Sequence, residues 1–200
     1  MLERLLDTFN PENHTIIWLI SAFIMAVIIA LSTYPTILYV AEKKHLMDEP
    51  DNRSLHSNRT PTLGGVGIFI SVVVVMTITG AMLNTKVLLL VMGGLTILFF
   101  LGLKDDLTVL SARKKFLGQL FAALLLIIFT NTRIIGLSNI LEIDVLPYWV
   151  SIVFTLFVYI LIINAYNLID GVDGLAGTVA LLISIVFTVL FYNSGALSLA

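Results

Sequence analysis

Six long apolar stretches limit what this chain can fold into more than any other feature of its sequence. They lie at about 16–40, 65–83, 87–103, 114–130, 147–164 and 174–192. A helix needs about 20 mainly apolar residues to cross the hydrocarbon core of a bilayer. All but the fourth stretch are free of acidic and basic residues across their centres. The pattern predicts an all-α, polytopic membrane helix bundle with about six transmembrane helices, forming a single domain over 1–200.

The fourth stretch is the weakest of the six candidates for a transmembrane helix, because Asn131 and Arg133 end the apolar stretch early. A short helix packed inside the bundle is the alternative for this segment. The composition as a whole supports a membrane protein: 58% of the residues are hydrophobic and 12% are charged, whereas soluble domains carry about 25% charged residues. The chain has no cysteine, which excludes disulfides and thiolate metal sites.

The basic residues are concentrated in two of the polar connections. Eight of the eleven lysines and arginines lie in the first loop (41–64) and the third loop (104–115). Cytoplasmic loops of membrane proteins carry an excess of lysine and arginine. The first, third and fifth loops are therefore predicted to face the cytoplasm, with the N-terminus outside.

The first loop carries side chains suited to phosphate. Arg53, His56 and Arg59 are hydrogen-bond donors, and Gly64, Gly65 and Gly67 follow where the chain enters the second stretch. Glycines at a helix N-terminus let backbone N–H groups approach an anion closely. The alternative is a solvated basic loop followed by small residues that allow helices to pack.

The third loop begins with an acidic pair, Asp105 and Asp106, directly after an apolar stretch. One carboxylate could bind Mg²⁺, which prefers oxygen ligands, and the other could accept or orient a proton. Adjacent residues point in different directions on a regular helix, so a shared site requires an irregular helix end or two separate roles. The alternative is helix termination, with Asp106 or Ser111 capping the helix that follows.

The fifth loop region (164–177) places polar residues where a membrane-buried segment should begin. Its polar residues are spaced by three, so on a helix they share one face; they are Asn164, Asn167, Asp170 and Asp173. Glycines at 171, 174 and 177 are expected to keep the neighbouring surface open. A charged side chain where the membrane-buried segment begins is energetically costly, so its presence there indicates a function. We interpret the segment as one wall of a cytoplasm-facing site for a nucleotide-sugar and a metal ion, with an interhelical hydrogen-bond network as the alternative.

Three motifs taken together resemble one known family. They are Arg53-x-x-His56 followed by Thr60-Pro61-x-x-Gly64-Gly65, then Asp105-Asp106, then Asn164-Ala165-x-Asn167-x-x-Asp170-Gly171-x-Asp173-Gly174-Leu175. Their order, their spacing and their location on one side of the membrane are similar to those of the motifs of the polyprenyl-phosphate N-acetylhexosamine-1-phosphate transferases (glycosyltransferase family 4). This family includes MraY. The first motif looks closer to the WecA/TagO type than to MraY.

The resemblance implies an enzyme of the bacterial inner (cytoplasmic) membrane that initiates a cell-envelope glycan such as O-antigen or teichoic acid. Undecaprenyl phosphate would attack the β-phosphorus of a UDP-N-acetylhexosamine on the cytoplasmic side, and UMP would be released. Mg²⁺, with Mn²⁺ as the alternative, would neutralise the diphosphate. N-acetylglucosamine is the default sugar for this branch. The resemblance also implies a homodimer, and no nucleic-acid partner is expected.

The family motifs also imply roles for individual residues. Asp105 and Asp106 would lie at the reacting phosphates, with Asp105 as the candidate base or lipid-phosphate positioner. The implied metal ligands are Asn167 and Asp106. The implied nucleotide-sugar residues are Asp170, Asp173 (near the uracil), Asn164, Arg53 and His56.

The chain lacks two features that the resemblance would require. Family members have a Gly-Asp metal-ligand motif and a histidine-rich cytoplasmic loop in their second half, whereas the histidines here are His14, His45 and His56. We therefore expect this chain to be the N-terminal part of a longer domain, and residues 1–200 alone to have no transferase activity.

Three other functions compete with this interpretation at the level of sequence. A fragment of a secondary transporter would also contain intramembrane carboxylates, although transporter sites lie near the bilayer midplane and these residues cluster at one face. A CDP-alcohol phosphotransferase would need an Asp-Gly-x-x-Ala-Arg motif, which the chain does not contain. A noncatalytic membrane scaffold that keeps the fold is the third alternative.

Overall fold

A computed structural model describes residues 14–48, 60–61, 63–83, 85–108, 110–138, 142–170 and 174–196 of the chain. This part contains six long helices and one very short strand pair, so the predicted all-α class is confirmed. The helices are α1 (Thr15–Lys43), α2 (Gly64–Met82), α3 (Lys86–Thr108), α4 (Ala112–Thr130), α5 (Tyr148–Ile169) and α6 (Leu175–Ser194). The strands β1 (Met47–Asp48) and β2 (Thr60–Pro61) pair antiparallel between α1 and α2.

Two helices continue beyond the ends that hydropathy predicts. The apolar stretch 87–103 becomes a helix that ends at Thr108, and 147–164 becomes a helix that ends at Ile169. Hydropathy locates the part of a helix that lies in hydrocarbon, whereas the backbone hydrogen bonds can continue into the polar region. The acidic pair and the two asparagines therefore lie on the last turns of helices rather than in loops.

Five of the six helices in the described part are long and apolar enough to cross a membrane. The exception is α4, whose first turn carries Arg113, Lys114 and Lys115. Its 19 residues still extend about 28 Å at 1.5 Å per residue, close to the thickness of the hydrocarbon core. The fourth stretch is thus the one whose helix does not meet the criterion for a membrane span, for its basic first turn rather than for an early end at Asn131 and Arg133, and its length remains compatible with a crossing.

The chain forms two compact units, residues 1–89 with 172–200 and residues 90–171. In the first unit, α1 packs against α2. A methyl group built on Gly67 would lie 3.0 Å from the Thr33 hydroxyl oxygen and 3.2 Å from Cδ1 of Ile37. Gly67 therefore allows close approach of α1, which agrees with the packing interpretation, while Gly64 and Gly65 have no heavy atom within 4 Å of such a methyl group.

The second unit consists of α4 and its two antiparallel neighbours, α3 and α5. Leu126 of α4 fills the space at Gly94 of α3, and Leu101 of α3 fills the space at Gly118 of α4. These two reciprocal contacts set the register of the helix pair. Asp105 lies one turn after Leu101 on α3, and Lys115 lies one turn before Gly118 on α4. The antiparallel arrangement of the two helices therefore places Asp105 next to Lys115.

A buried hydrogen-bond network joins the segment after α4 to the start of α5. Arg133 donates to the Ser151 hydroxyl over 2.9 Å, and that hydroxyl donates to the Ile134 carbonyl. The Ile134 N–H donates to the Thr155 hydroxyl over 2.9 Å, and the Arg133 guanidinium lies 4.8 Å from the centre of the Tyr148 ring. The network fixes the end of the unit opposite the Asp105–Lys115 contact.

We expect Ser151→Ala to lower the free energy of unfolding by about 1–3 kcal/mol, because it leaves buried partners without a hydrogen bond. Ser151 is fully buried, so water cannot replace the lost hydroxyl. Thermal unfolding in detergent measures the effect. Ser194→Ala is the matched control, since Ser194 is exposed and its hydroxyl bonds only within its own helix. Equal melting temperatures for the two variants would contradict the structural role of the network.

Candidate functional site

Asp105 makes two strong contacts at the end of α3. Its Oδ2 lies 2.8 Å from Nζ of Lys115, and its Oδ1 accepts the Leu110 N–H over 2.9 Å. Both donors stabilise the ionised carboxylate, which is about one quarter exposed. Asp105 thus satisfies a backbone N–H at the α3–α4 connection. Ser111 is the N-cap residue of α4 and makes no side-chain capping bond.

Asp106 is exposed and points in a different direction from Asp105. The helix remains regular through Thr108, and adjacent residues on a regular helix are about 100° apart. The irregular helix end that a shared site would require is therefore not observed at the pair, and separate roles for the two carboxylates stay a prediction. No cluster of three or more histidine, aspartate or glutamate side chains able to hold a metal ion occurs among the described residues.

A polar stripe follows the last turns of α5. Asn164 and Asn167 lie on the helix, and Asp170 is its C-cap residue with helical backbone angles (φ −69°, ψ −11°). All three residues are exposed, and their spacing by three places them on one face. The predicted stripe is confirmed for these three residues. Nδ2 of Asn164 donates to the Ile160 carbonyl over 2.8 Å and to Oε1 of Gln119 over 3.1 Å.

The glycines at the start of α6 leave open space beside their backbone. Gly174 is the N-cap residue and has a left-handed backbone (φ +70°), a conformation that glycine adopts without steric cost. A methyl group built on Gly174 or Gly177 would have no heavy atom within 4 Å. The prediction of an open surface is confirmed at these two positions.

Several predicted residues lie outside the described part of the chain. They are Arg53, His56, Arg59, Gly171 and Asp173. Their roles therefore remain predictions.

The structure adds Lys115 and Gln119 of α4 to the candidate site. They are four residues apart, so they lie on one face of the helix. Lys115 contacts Asp105 of α3, and Gln119 contacts Asn164 of α5. The C-terminal ends of α3 and α5 thus meet the N-terminal half of α4. A glutamine inside an otherwise apolar stretch was the available sequence signal for Gln119, because buried polar groups in membrane helices require partners.

The donor types at these helix ends are compatible with Mg²⁺ held jointly by protein and substrate. Magnesium is usually bound by one or two carboxylates together with water and substrate phosphates, rather than by a complete protein cage. Asp106 supplies an exposed carboxylate, and Asn167 supplies an exposed amide oxygen. Lys115 adds a cation of the kind that contacts phosphate.

Fold and polar residues together define a polytopic helical membrane protein with carboxylates, amides and a lysine gathered at one end of a three-helix unit. The sequence profile of glycosyl transferase family 4 matches residues 88–200, more than half of the chain. The chain belongs to this family, and the resemblance inferred from the motifs is confirmed.

Individual relatives agree with the family assignment. The chain is 33% identical, over 82% of its length and 46% of the relative, to a probable undecaprenyl-phosphate N-acetylglucosaminyl 1-phosphate transferase of Bacillus subtilis (strain 168). It is 31% identical, over 92% of its length and 61% of the relative, to a phospho-N-acetylmuramoyl-pentapeptide-transferase of Geobacillus kaustophilus (strain HTA426). An undecaprenyl-phosphate alpha-N-acetylglucosaminyl 1-phosphate transferase of Yersinia pestis is 30% identical over 80% of the chain and 44% of the relative.

The chain spans about half the length of the curated relatives it matches. No solved structure matches it significantly.

Proposed function

We propose that the protein containing this chain transfers N-acetylhexosamine-1-phosphate from a UDP-sugar to undecaprenyl phosphate. An oxygen of the lipid phosphate forms a bond to the β-phosphorus of the UDP-sugar, the bond from that phosphorus to the bridging oxygen breaks, and UMP leaves. N-acetylglucosamine is the proposed sugar, because two of the three relatives above are named for it. The product initiates a cell-envelope glycan in the bacterial cytoplasmic membrane.

One observation carries this proposal: α4 brings the acidic pair of α3 and the polar stripe of α5 to the same end of the unit. Asp105 reaches α4 through Lys115, and Asn164 reaches it through Gln119. A transporter site would be expected near the midplane of the bilayer, whereas these residues lie at the ends of their helices. Their position favours chemistry on a water-soluble substrate at the membrane surface, and the excess of basic residues in the first and third loops supports the cytoplasmic side.

Within this proposal, different side chains position the phosphates, the metal ion and the nucleoside. Asp106, exposed at the end of α3, would reach the reacting phosphates through the bound Mg²⁺, and Asp105 holds Lys115 so that its ammonium group stays beside them. Asn167 and Asp106 would hold Mg²⁺, and Asp170 with Asp173 would contact the nucleoside. Bound Mg²⁺ supplies charge neutralisation of the diphosphate. Arg53 and His56 are proposed to contact the nucleotide-sugar from the first loop.

A direct assay tests the proposed function. Membranes that contain the complete gene product are incubated with UDP-N-acetylglucosamine, undecaprenyl phosphate and Mg²⁺, and UMP and the lipid-linked sugar are measured. Stoichiometric formation of both products is expected. Absence of UMP release with every UDP-N-acetylhexosamine tested would contradict the proposal.

We expect removal of divalent metal with EDTA to abolish UMP release, and added Mg²⁺ to restore it. The physical reason is that the ammonium group of Lys115, which is already paired with Asp105, cannot neutralise the charge of the diphosphate alone. Mn²⁺ should restore part of the activity, since it shares the preference for oxygen ligands. Ca²⁺, which is larger and binds with different geometry, is the control. Full activity in EDTA would show that the proposed metal role is wrong.

A further inference from the structure

We propose that Gln119 is a positioning residue, which orients the Asn164 amide so that its carbonyl oxygen faces the bound nucleotide-sugar or its metal ion. This inference rests on the proposed function and assigns a specific part of that site. Gln119 itself does not contact substrate. It acts through the hydrogen bond from Asn164 Nδ2 to Gln119 Oε1, which is 3.1 Å long.

The orientation of both amides follows from hydrogen-bond chemistry. A backbone carbonyl can only accept, so the Asn164 atom that faces the Ile160 oxygen at 2.8 Å must be the nitrogen. The same nitrogen faces Gln119, so the Gln119 atom in contact must be its oxygen. The two acceptors use the two N–H groups of Asn164, and its carbonyl oxygen is the polar atom that remains for a ligand.

This orientation limits what Asn164 can bind. A carbonyl oxygen accepts hydrogen bonds or coordinates a cation, whereas a phosphate oxygen offers no hydrogen to it. The chemistry that Asn164 recognises is therefore an N–H or O–H donor of the nucleotide-sugar, or a divalent cation with its water. Direct contact between Asn164 and a bare phosphate oxygen is unfavourable in this arrangement.

Burial gives the contact its rigidity. Gln119 is 3% exposed, although its partner Asn164 is exposed. A buried amide is costly unless it is hydrogen-bonded, so the bond to Asn164 has a larger effect here than on a water-exposed surface. Gln119 also lies one turn after Lys115, about 6 Å along the axis of α4. One helix face therefore holds the carboxylate of Asp105 and the amide of Asn164 at a set spacing.

A double-mutant cycle in the complete gene product tests the inference. The variants are Gln119→Met, which has similar length but no acceptor, Asn164→Ala, and the combination of both. Each is assayed for kcat, for KM of UDP-N-acetylglucosamine at saturating lipid phosphate, and for the Mg²⁺ concentration that gives half-maximal activity. Thr155→Val is the matched control, because it removes a buried hydrogen-bonding hydroxyl at the opposite end of α5.

We expect Gln119→Met to raise the KM for the UDP-sugar or the half-maximal Mg²⁺ concentration about tenfold, while kcat changes less than about threefold. A raised KM would identify a hydrogen-bond donor of the nucleotide-sugar as the ligand of Asn164. A raised half-maximal Mg²⁺ concentration would identify the metal ion as that ligand. In either case the double variant should behave like Asn164→Ala alone, because Gln119 acts through that residue. Thr155→Val should lower the melting temperature without changing either constant.

Two outcomes would overturn the inference while leaving the proposed function intact. One is an active wild type in which Gln119→Met changes neither constant. The other is a cycle in which the effects of Gln119→Met and Asn164→Ala are fully additive. A wild type that releases no UMP would instead overturn the proposed function, and this inference with it.

Discussion

Asp106→Asn should lower the kcat of UMP release at least about 100-fold in the complete gene product, with little change in melting temperature. Asp106 is exposed at the end of α3, and the substitution keeps its size while removing the charge. Asp106 is a proposed ligand of the Mg²⁺ that neutralises the diphosphate, and the charge stabilisation that such a metal supplies in the transition state is worth several kcal/mol, equivalent to a factor of about 10² or more in rate. The effect should fall on kcat rather than on expression, because an exposed side chain contributes little to stability.

Two further variants make the Asp106 result specific. Asp105→Asn should also reduce activity and should lower the melting temperature, because it weakens the contacts to Lys115 and the Leu110 N–H. Asp144→Asn is the matched control, since Asp144 is an exposed aspartate in the connection between α4 and α5. Wild-type rates for both Asp105→Asn and Asp106→Asn at normal expression would show that the transferase site is misassigned.

Gly118→Leu should destabilise the unit of residues 90–171 and remove transferase activity together. A single methyl group on Gly118 would lie 2.8 Å from both Cδ1 and Cδ2 of Leu101, closer than carbon atoms can approach. Overpacking of this kind typically costs about 1–3 kcal/mol. Because the Gly118–Leu101 contact lies one turn from Lys115 and Asp105, separating the helices should also break that ion pair.

A compensating substitution distinguishes this packing effect from general damage. Leu101→Ala removes the side chain that clashes, so Gly118→Leu combined with Leu101→Ala should recover part of the melting temperature and part of the activity. Gly102→Leu is the control, because a methyl group on Gly102 has no heavy atom within 4 Å. Equal destabilisation by Gly118→Leu and Gly102→Leu would contradict the importance of the reciprocal glycine–leucine contacts. The measurements are thermal unfolding in detergent and UMP release.

Much of the fold could be predicted because a bilayer imposes a simple local requirement. Each segment of about 20 apolar residues must satisfy its backbone groups internally, so it forms a helix wherever it occurs. The polar stripe at Asn164, Asn167 and Asp170 could be predicted for a similar reason, since spacing by three on a helix determines a shared face. The ends of α3 and α5 could not be located, because the helical hydrogen bonds continue past the apolar residues that hydropathy detects.

The amino-acid sequence by itself determined that this is a helical membrane protein with acidic and amide residues beside its apolar segments. It also determined the family, because the three motifs occur together in one order. Only the tertiary structure decided that Asp105 pairs with Lys115 and that Asn164 pairs with Gln119. The physical reason is that helices apolar on nearly every side carry no pattern that sets their rotation or register. Here those are set by two leucines packing into the spaces at Gly94 and Gly118.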